Sequence, residues 1–342
     1  MTSQDSINES RKQISGNNKE VRKIQFTGRS TYQLSLPKKW IKEMNLKPGD
    51  SVTIVRQFNN SLCIMPNILR DIGENYEAMI SIGAYESNSS LARKLISVYL
   101  QGYNIIHVRC RERLTQRHKD AVKSILKHLV GAEMMSDSTN HFTVQVMMSL
   151  TPVTMSSIVR RMMVITSSMF RNVLHAAMNS DWQLAKLVSS TDDEIDRFSF
   201  YILRNVSLAI SSERVLREIG FESAMDALFY RSVARSMEEI ADNVCEIAKV
   251  LLTNDELDEK ARKDMADHGN TVLILFETAI EAFLRKNYES TDAVIEKLEQ
   301  IKNSIQLHHD NELALGLHAI VRHIKEIAEI SLDQSVANIS RL

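Results

Sequence analysis

Beyond Pro152 the chain runs for 190 residues without a proline, and only Gly220, Gly269 and Gly316 interrupt that stretch. A proline inside a helix removes a backbone donor and clashes with the turn before it, so long helices rarely contain one. Apolar residues there recur with the 3.6-residue period of amphipathic helices. The pattern is plain in residues 156–178, 185–210 and 225–252, and again in 259–286, 291–308 and 315–339. The two trios read as one unit repeated. Thr191-Asp192-Asp193-Glu194-Ile195-Asp196 corresponds to Thr291-Asp292-Ala293-Val294-Ile295-Glu296, and Glu238-Glu239-Ile240-Ala241-Asp242 to Lys325-Glu326-Ile327-Ala328-Glu329. Two three-helix bundles in tandem, 152–253 and 255–340, are the expected arrangement.

The other prolines, at 37, 48 and 66, fall where the pattern alternates in short runs. Within residues 19–67, VRKIQF, STYQLSL, SVTIV and SLCIM read as strands, and Lys38-Lys39-Trp40 begins a short helix after Pro37. A β-β-α-β-β unit this small buries little by itself, so two chains are expected to complete one barrel. Residues 76–150 alternate strand and helix with Gly83, Gly102 and Gly131 at the turns, which predicts a β-α-β-α-β unit linking the ends. It has no GxGxxG and no Walker lysine, so no nucleotide is assigned to it. Residues 1–18, rich in Ser, Asn and Gln, read as a disordered tail. The fold class is thus multidomain α+β: a barrel head, a small α/β unit and an all-α carboxy-terminal half.

Charge follows the same division. The formal net charge is −1, yet residues 19–67 carry +6, and everything from residue 68 onward sums to −7. A basic head on an acidic body implies separate partners for the two parts. Arg22, Lys23 and Arg29 lie on or beside the first hairpin, and Lys38, Lys39 and Lys42 on the short helix; in two copies they would neutralise several phosphates of duplex DNA. A soluble face carrying lysines is the alternative. An anionic membrane surface fits less well, since only Trp40 would serve as an apolar anchor. Cys63, Cys110 and Cys245 are widely spaced with no CxxC pair, which excludes a disulfide framework and a cysteine-rich zinc site and points to a reducing, cytoplasmic setting. No apolar run is long enough to cross a bilayer.

Asp192 and Asp196 are four apart on one helix, as are Glu238 and Asp242 on the next, so each pair projects from one face. Where such faces meet, the carboxylates must turn to solvent, take up protons or bind a hard cation through oxygen. Their repetition favours a divalent or ferric ion. Oxygen donors do not choose among Mg, Mn, Ca and Fe(III). In the second cluster, Asp292, Glu296 and Glu329, Lys325 stands where a carboxylate would be and is expected to pair with Glu329 or Glu296, leaving that site weak or lost. Glu-x-x-His, which di-iron bundles need, does not occur. No nucleophile motif such as GxSxG is present, so no catalysis is assigned.

Val21-Arg22-Lys23, Thr27-Gly28-Arg29, Leu36-Pro37-Lys38-Lys39-Trp40-Ile41 and Leu46-Lys47-Pro48-Gly49-Asp50 resemble the SpoVT/AbrB family of swapped-hairpin DNA-binding domains. The resemblance implies an intertwined homodimer, with Arg22, Lys23, Arg29, Lys38 and Lys39 on DNA. The last 190 residues resemble PhoU, the phosphate-uptake regulator, whose tandem three-helix bundles bind multinuclear metal clusters through acidic motifs that Asp192–Asp196 and Glu238–Asp242 match. The pairing of the two domains looks like the archaeal PhoU-related regulators. It implies a transcription regulator of phosphate uptake. An adaptor that docks on a phosphate ABC transporter and restrains it, without binding DNA, is the alternative, and a metal-dependent phosphatase acting through Asp196 and Asp242 is a third.

Overall fold

The computed structural model describes residues 20–28, 30–56, 61–66, 76–83, 85–147, 153–253, 258–305 and 312–339. The chain divides into two units, residues 1–74 and 75–342. The tail expected over residues 1–18 lies outside the described residues, and so does Arg29.

In the first unit β1 (Gln25–Thr27) and β2 (Thr31–Gln33) pair antiparallel. Gly28 sits between them at φ 71°, a left-handed conformation that a side chain would resist. Helix α1 (Lys38–Glu43) starts after Pro37, and Asn45 at φ 55° ends it. β3 (Val52–Arg56) and β4 (Leu62–Pro66) form a second antiparallel pair. The element order is the expected one, but no barrel closes: the hairpins are two separate two-stranded sheets. Strands of three and five residues in one chain cannot build a core, because an isolated hairpin is marginal in water. Among the residues described here only Pro37 is buried. Val21, Ile24, Phe26, Tyr32, Ile54 and Leu62 all face outward.

The second unit begins with β5 (Glu77–Ile82), α2 (Asn88–Leu100), β6 (Ile105–Cys110), α3 (Gln116–Leu126), β7 (Ala132–Asp137) and β8 (His141–Val146). The sheet order is β5-β6-β8-β7, with β5 and β6 parallel and the other pairs antiparallel. The unit is therefore β-α-β-α-β-β, one strand more than the sequence predicts. β7 escaped because Met134-Met135 breaks the alternation, and the register shifts between Met134 and Ser136. Ile80, Ile82, Ile106, Val108, Phe142 and Val144 are buried with Leu91, Leu95 and Tyr99 of α2 and Val122 of α3.

Among the described residues seven helices follow: α4 (Met155–Asn179), α5 (Trp182–Ser211), α6 (Glu213–Glu218), α7 (Ala224–Thr253), α8 (Glu259–Arg285), α9 (Tyr288–Ser304) and α10 (Glu312–Ile339). Thr154, Asp181 and Asn287 accept backbone N–H bonds at the starts of α4, α5 and α9, removing orphaned donors. Helices α4, α5 and α7 pack on one another, as do α8, α9 and α10; α4 against α8 and α7 against α10 join the trios. A glycine sits at each joint. A Cβ on Gly269 of α8 would overlap Leu174 of α4, and one on Gly316 of α10 would lie 2.7 Å from Ile247 Cγ1 of α7. Short α6 was not expected; six residues are too few to show a period, and Ser212 caps it through Val215 N–H.

Arg204 fixes the α/β unit to the helices. It lies on α5 and is 1% exposed. Its guanidinium donates to the backbone oxygens of Tyr99, Gly102 (3.1 Å) and Tyr103 (3.0 Å) and to Asn104 Oδ1 (2.7 Å). It also stands 4.7 Å over the Tyr99 ring. A cation is thereby placed where the carbonyls of α2 end, the favourable pole of the helix. One turn away on either side, Phe200 enters the α/β core and Leu208 covers Gly102.

Candidate functional site

Two groups of residues stand out, one in each unit. In the head, Arg22, Lys23, Lys38 and Lys39 are all exposed. Arg22 bonds Glu20 and Lys39 lies 3.9 Å from Glu43, while Lys23 and Lys38 form no ion pair among the described residues. Helix α1 places Lys38 and Lys39 in its first turn because Pro37 sets the entry angle. Exposed pairs of this kind contribute little to stability, so these cations remain available to an external anion.

In the second unit, packing of α5 on α7 brings together Asp192, Asp196, Glu238 and Asp242. All four titrate above the ordinary carboxylate range. Burial pushes Asp192 up to about 6, helped by the negative charges of Asp242 and Asp196. Burial likewise raises Glu238 to about 7, against the pull of the Arg235 guanidinium. Asp196 and Asp242 are also raised, by burial first and by Asp242 and Glu239 respectively after it. Asp192 Oδ1 is buried without a hydrogen-bond partner. Arg235 Nη1 lies 2.8 Å from Glu238 Oε2, but not in line for a hydrogen bond.

The donor set is that of a hard cation: oxygen, anionic and incompletely neutralised. As placed, the shell is open, since among the described residues no three His, Cys, Asp or Glu side chains gather closely enough to hold an ion. Two neighbours escaped the sequence reading. Cys245 lies beside Asp192, and burial with the charges of Asp192 and Asp242 pushes its thiol up to about 12. The positive field of His128, just past α3, acts on Asp196. Arg235 and Cys245 stand three residues from Glu238 and Asp242, the spacing that signals one helix face; His128 gave no such signal.

The second cluster is different. Asp292 and Glu296 are exposed on α9, and Lys325 bonds Glu299, with Glu329 at 3.9 Å. Of the two expected partners Glu329 is in place, but the closer bond goes to Glu299, one turn along α9 from Glu296.

Comparison with known proteins assigns the two parts. The family model for antidote-toxin recognition MazE, a bacterial antitoxin, matches residues 25–69. The PhoU domain model matches residues 159–251, which spans most of α4 through α7. The crystal structure of the phosphate transport system regulatory protein PhoU from Streptococcus pneumoniae aligns at 15% identity over 53% of this chain and 89% of that one, with a TM-score of 0.38. No curated protein matches the chain. The chain carries an amino-terminal MazE/AbrB-like domain and a carboxy-terminal PhoU domain.

Proposed function

We propose that the chain is a DNA-binding transcription regulator of phosphate homeostasis, dimeric through its head, with the PhoU part as sensor or partner platform. The observation that carries this reading is the union in one chain of a MazE/AbrB-like domain with exposed Arg22, Lys23, Lys38 and Lys39 and a PhoU domain. The exposed apolar side chains of both hairpins support a second copy as the missing half of the head, because hydrophobic patches left open on a small unit mark an interface. Asp192, Asp196, Glu238 and Asp242 would hold a divalent or ferric cation, supported by the orphaned oxygen of Asp192. Bound there, such an ion would supply positive charge to the α5–α7 pair. Regulation asks for no catalysis. Among the described residues no helix is long and apolar enough to cross a membrane.

Anisotropy titration of fluorescent promoter duplexes from phosphate-uptake genes tests the proposal. Arg22→Ala combined with Lys38→Ala and Lys39→Ala should weaken binding about tenfold or more, and added salt should weaken wild-type binding steeply. Affinity indifferent to both changes refutes it. The PhoU match also supports a second reading, an adaptor on a phosphate ABC transporter. Capture of transporter subunits by a chain that retains no DNA would favour that reading.

A further inference from the structure

We propose that the middle α/β unit presents a second cationic surface, on the loop before α3 and on α3 itself, whose partner is the phosphate backbone of duplex DNA; this rests on the DNA-binding reading above. Between Arg109 and Lys127 the chain has seven Lys or Arg and two acids, so the body behind the head is not uniformly acidic. Averaging over everything after residue 67 hides this.

The fold turns these residues outward. Thr115 caps α3, His118 and Val122 take its buried face, and Lys119, Lys123 and Lys127 recur every four residues along the flank beside it. Arg111, Arg113, Arg117, Lys123 and Lys127 are exposed and form no ion pair among the described residues. Lys119 alone is neutralised, by Asp137 at 2.7 Å. In the bundle Arg160, Arg161, Arg171, Arg214, Arg217 and Arg285 each pair with a glutamate. Exposed bundle cations without an ion pair among the described residues, such as Lys186, Arg231, Lys260, Lys297 and Arg322, are spread over five helices rather than gathered in one segment. Guanidiniums left unpaired side by side repel one another and are stabilised by an external anion. Beside them opens a cleft of about 530 Å³ with Arg113, Thr115, Gln116, Lys119, Ser138 and Thr139 on its walls, together with Asp137, whose carboxylate is taken up by Lys119. These donors suit phosphate oxygens, which position a protein on a duplex without reading its sequence.

The partner's class follows from what the surface lacks. The exposed positions of α3 and its C-cap are Gln116, Arg117, Asp120, Lys123, Ser124 and Lys127. None is a bulky apolar residue that could enter a bilayer, and no aromatic is present to anchor a protein partner. Charge complementarity to a polyanion is what remains.

The test uses the full-length chain and a duplex of random sequence, titrated by anisotropy across a range of KCl concentrations. Arg113→Gln combined with Arg117→Gln and Lys123→Gln should make the plot of log affinity against log salt shallower by about two to three, since each lost phosphate contact removes about 0.9. Promoter and random duplexes should weaken by the same factor, with helix content and melting temperature unchanged. Arg111→Gln with Lys127→Gln, both at exposed positions, provides a second variant free of the cleft and should act in the same direction. An unchanged slope in both variants overturns the inference. So does loss of co-sedimentation with phosphatidylglycerol vesicles while DNA binding stays intact, which would make a membrane the partner. Binding that depends on Arg22, Lys38 and Lys39 but not on α3 sinks this inference alone, whereas wild-type protein that binds no duplex sinks the regulator reading with it.

Discussion

At the level of single residues, the carboxylates between α5 and α7 tie stability to pH. Asp192 sits at about 6 and Glu238 at about 7, against ordinary values of 3.8 and 4.5. In the unfolded chain both regain their ordinary values, so between roughly pH 4 and pH 7 the native state holds more protons than the unfolded state. Their contribution is complete below that window and is lost as the pH rises through it. Chelator-treated wild-type protein should therefore lose melting temperature from pH 5 to pH 8 more than Asp192→Asn with Glu238→Gln does, by calorimetry on both. Equal pH slopes would mean that the two carboxyls are solvated in solution. A divalent ion taking the same oxygens must displace those protons, so the stabilisation from added Mn²⁺ should grow across the same range.

Between elements, the contact that decides whether the α/β unit stays docked is α5 on α2. Arg204→Met keeps the length of the side chain but leaves the carbonyls of Gly102 and Tyr103 and the amide oxygen of Asn104 without this donor, while Tyr99 O keeps the Gly102 N–H at 3.0 Å. A buried acceptor stripped of its partner costs about 1–3 kcal/mol. Relief of the guanidinium's own burial, which pulls its pKa down, offsets part of the sum. The variant should lose on the order of 3 kcal/mol in urea unfolding, with hydrogen exchange rising first at residues 99–104. Protection there equal to wild type would show that the hydrophobic neighbours Phe200 and Leu208 suffice. Sequence did not announce this lock: an arginine among Ile202, Leu203 and Val206 carries no sign that its charge will be spent on carbonyls a hundred residues earlier. The long helices were legible because period and missing proline act within one segment, and the two carboxylate pairs were legible because i, i+4 spacing is local. β7, α6 and the Lys325–Glu299 bond were not. Each depends on a register shift, a turn shorter than a period, or which of two carboxylates one helical turn apart a neighbouring helix presents.

For the molecule as a whole, the head is where one copy is least complete. Phe26 and Tyr32 pack edge to face, with centroids 5.2 Å apart, yet they are 59% and 70% exposed. Aromatic pairs add about 0.5–1.5 kcal/mol beyond the area they bury, and this one lies within the first hairpin, so it does not join that hairpin to the second, with which it shares no sheet. A second chain covering Val21, Ile24, Phe26, Tyr32 and Ile54 would convert this open apolar surface into a core, at roughly 25 cal/mol for each Å² removed from water. Phe26→Asp would place a charge in that core and should turn a dimer into a monomer, read by light scattering at several concentrations. The helices of residues 153–339 belong to the other unit and have a buried core of their own, so helical circular dichroism should not change. DNA affinity should fall with the dimer, because one copy offers half the cations and counterion release scales with the number of phosphates engaged. A variant that stays dimeric and binds DNA as wild type would place the subunit contact outside the hairpins and leave their exposed aromatics without a role.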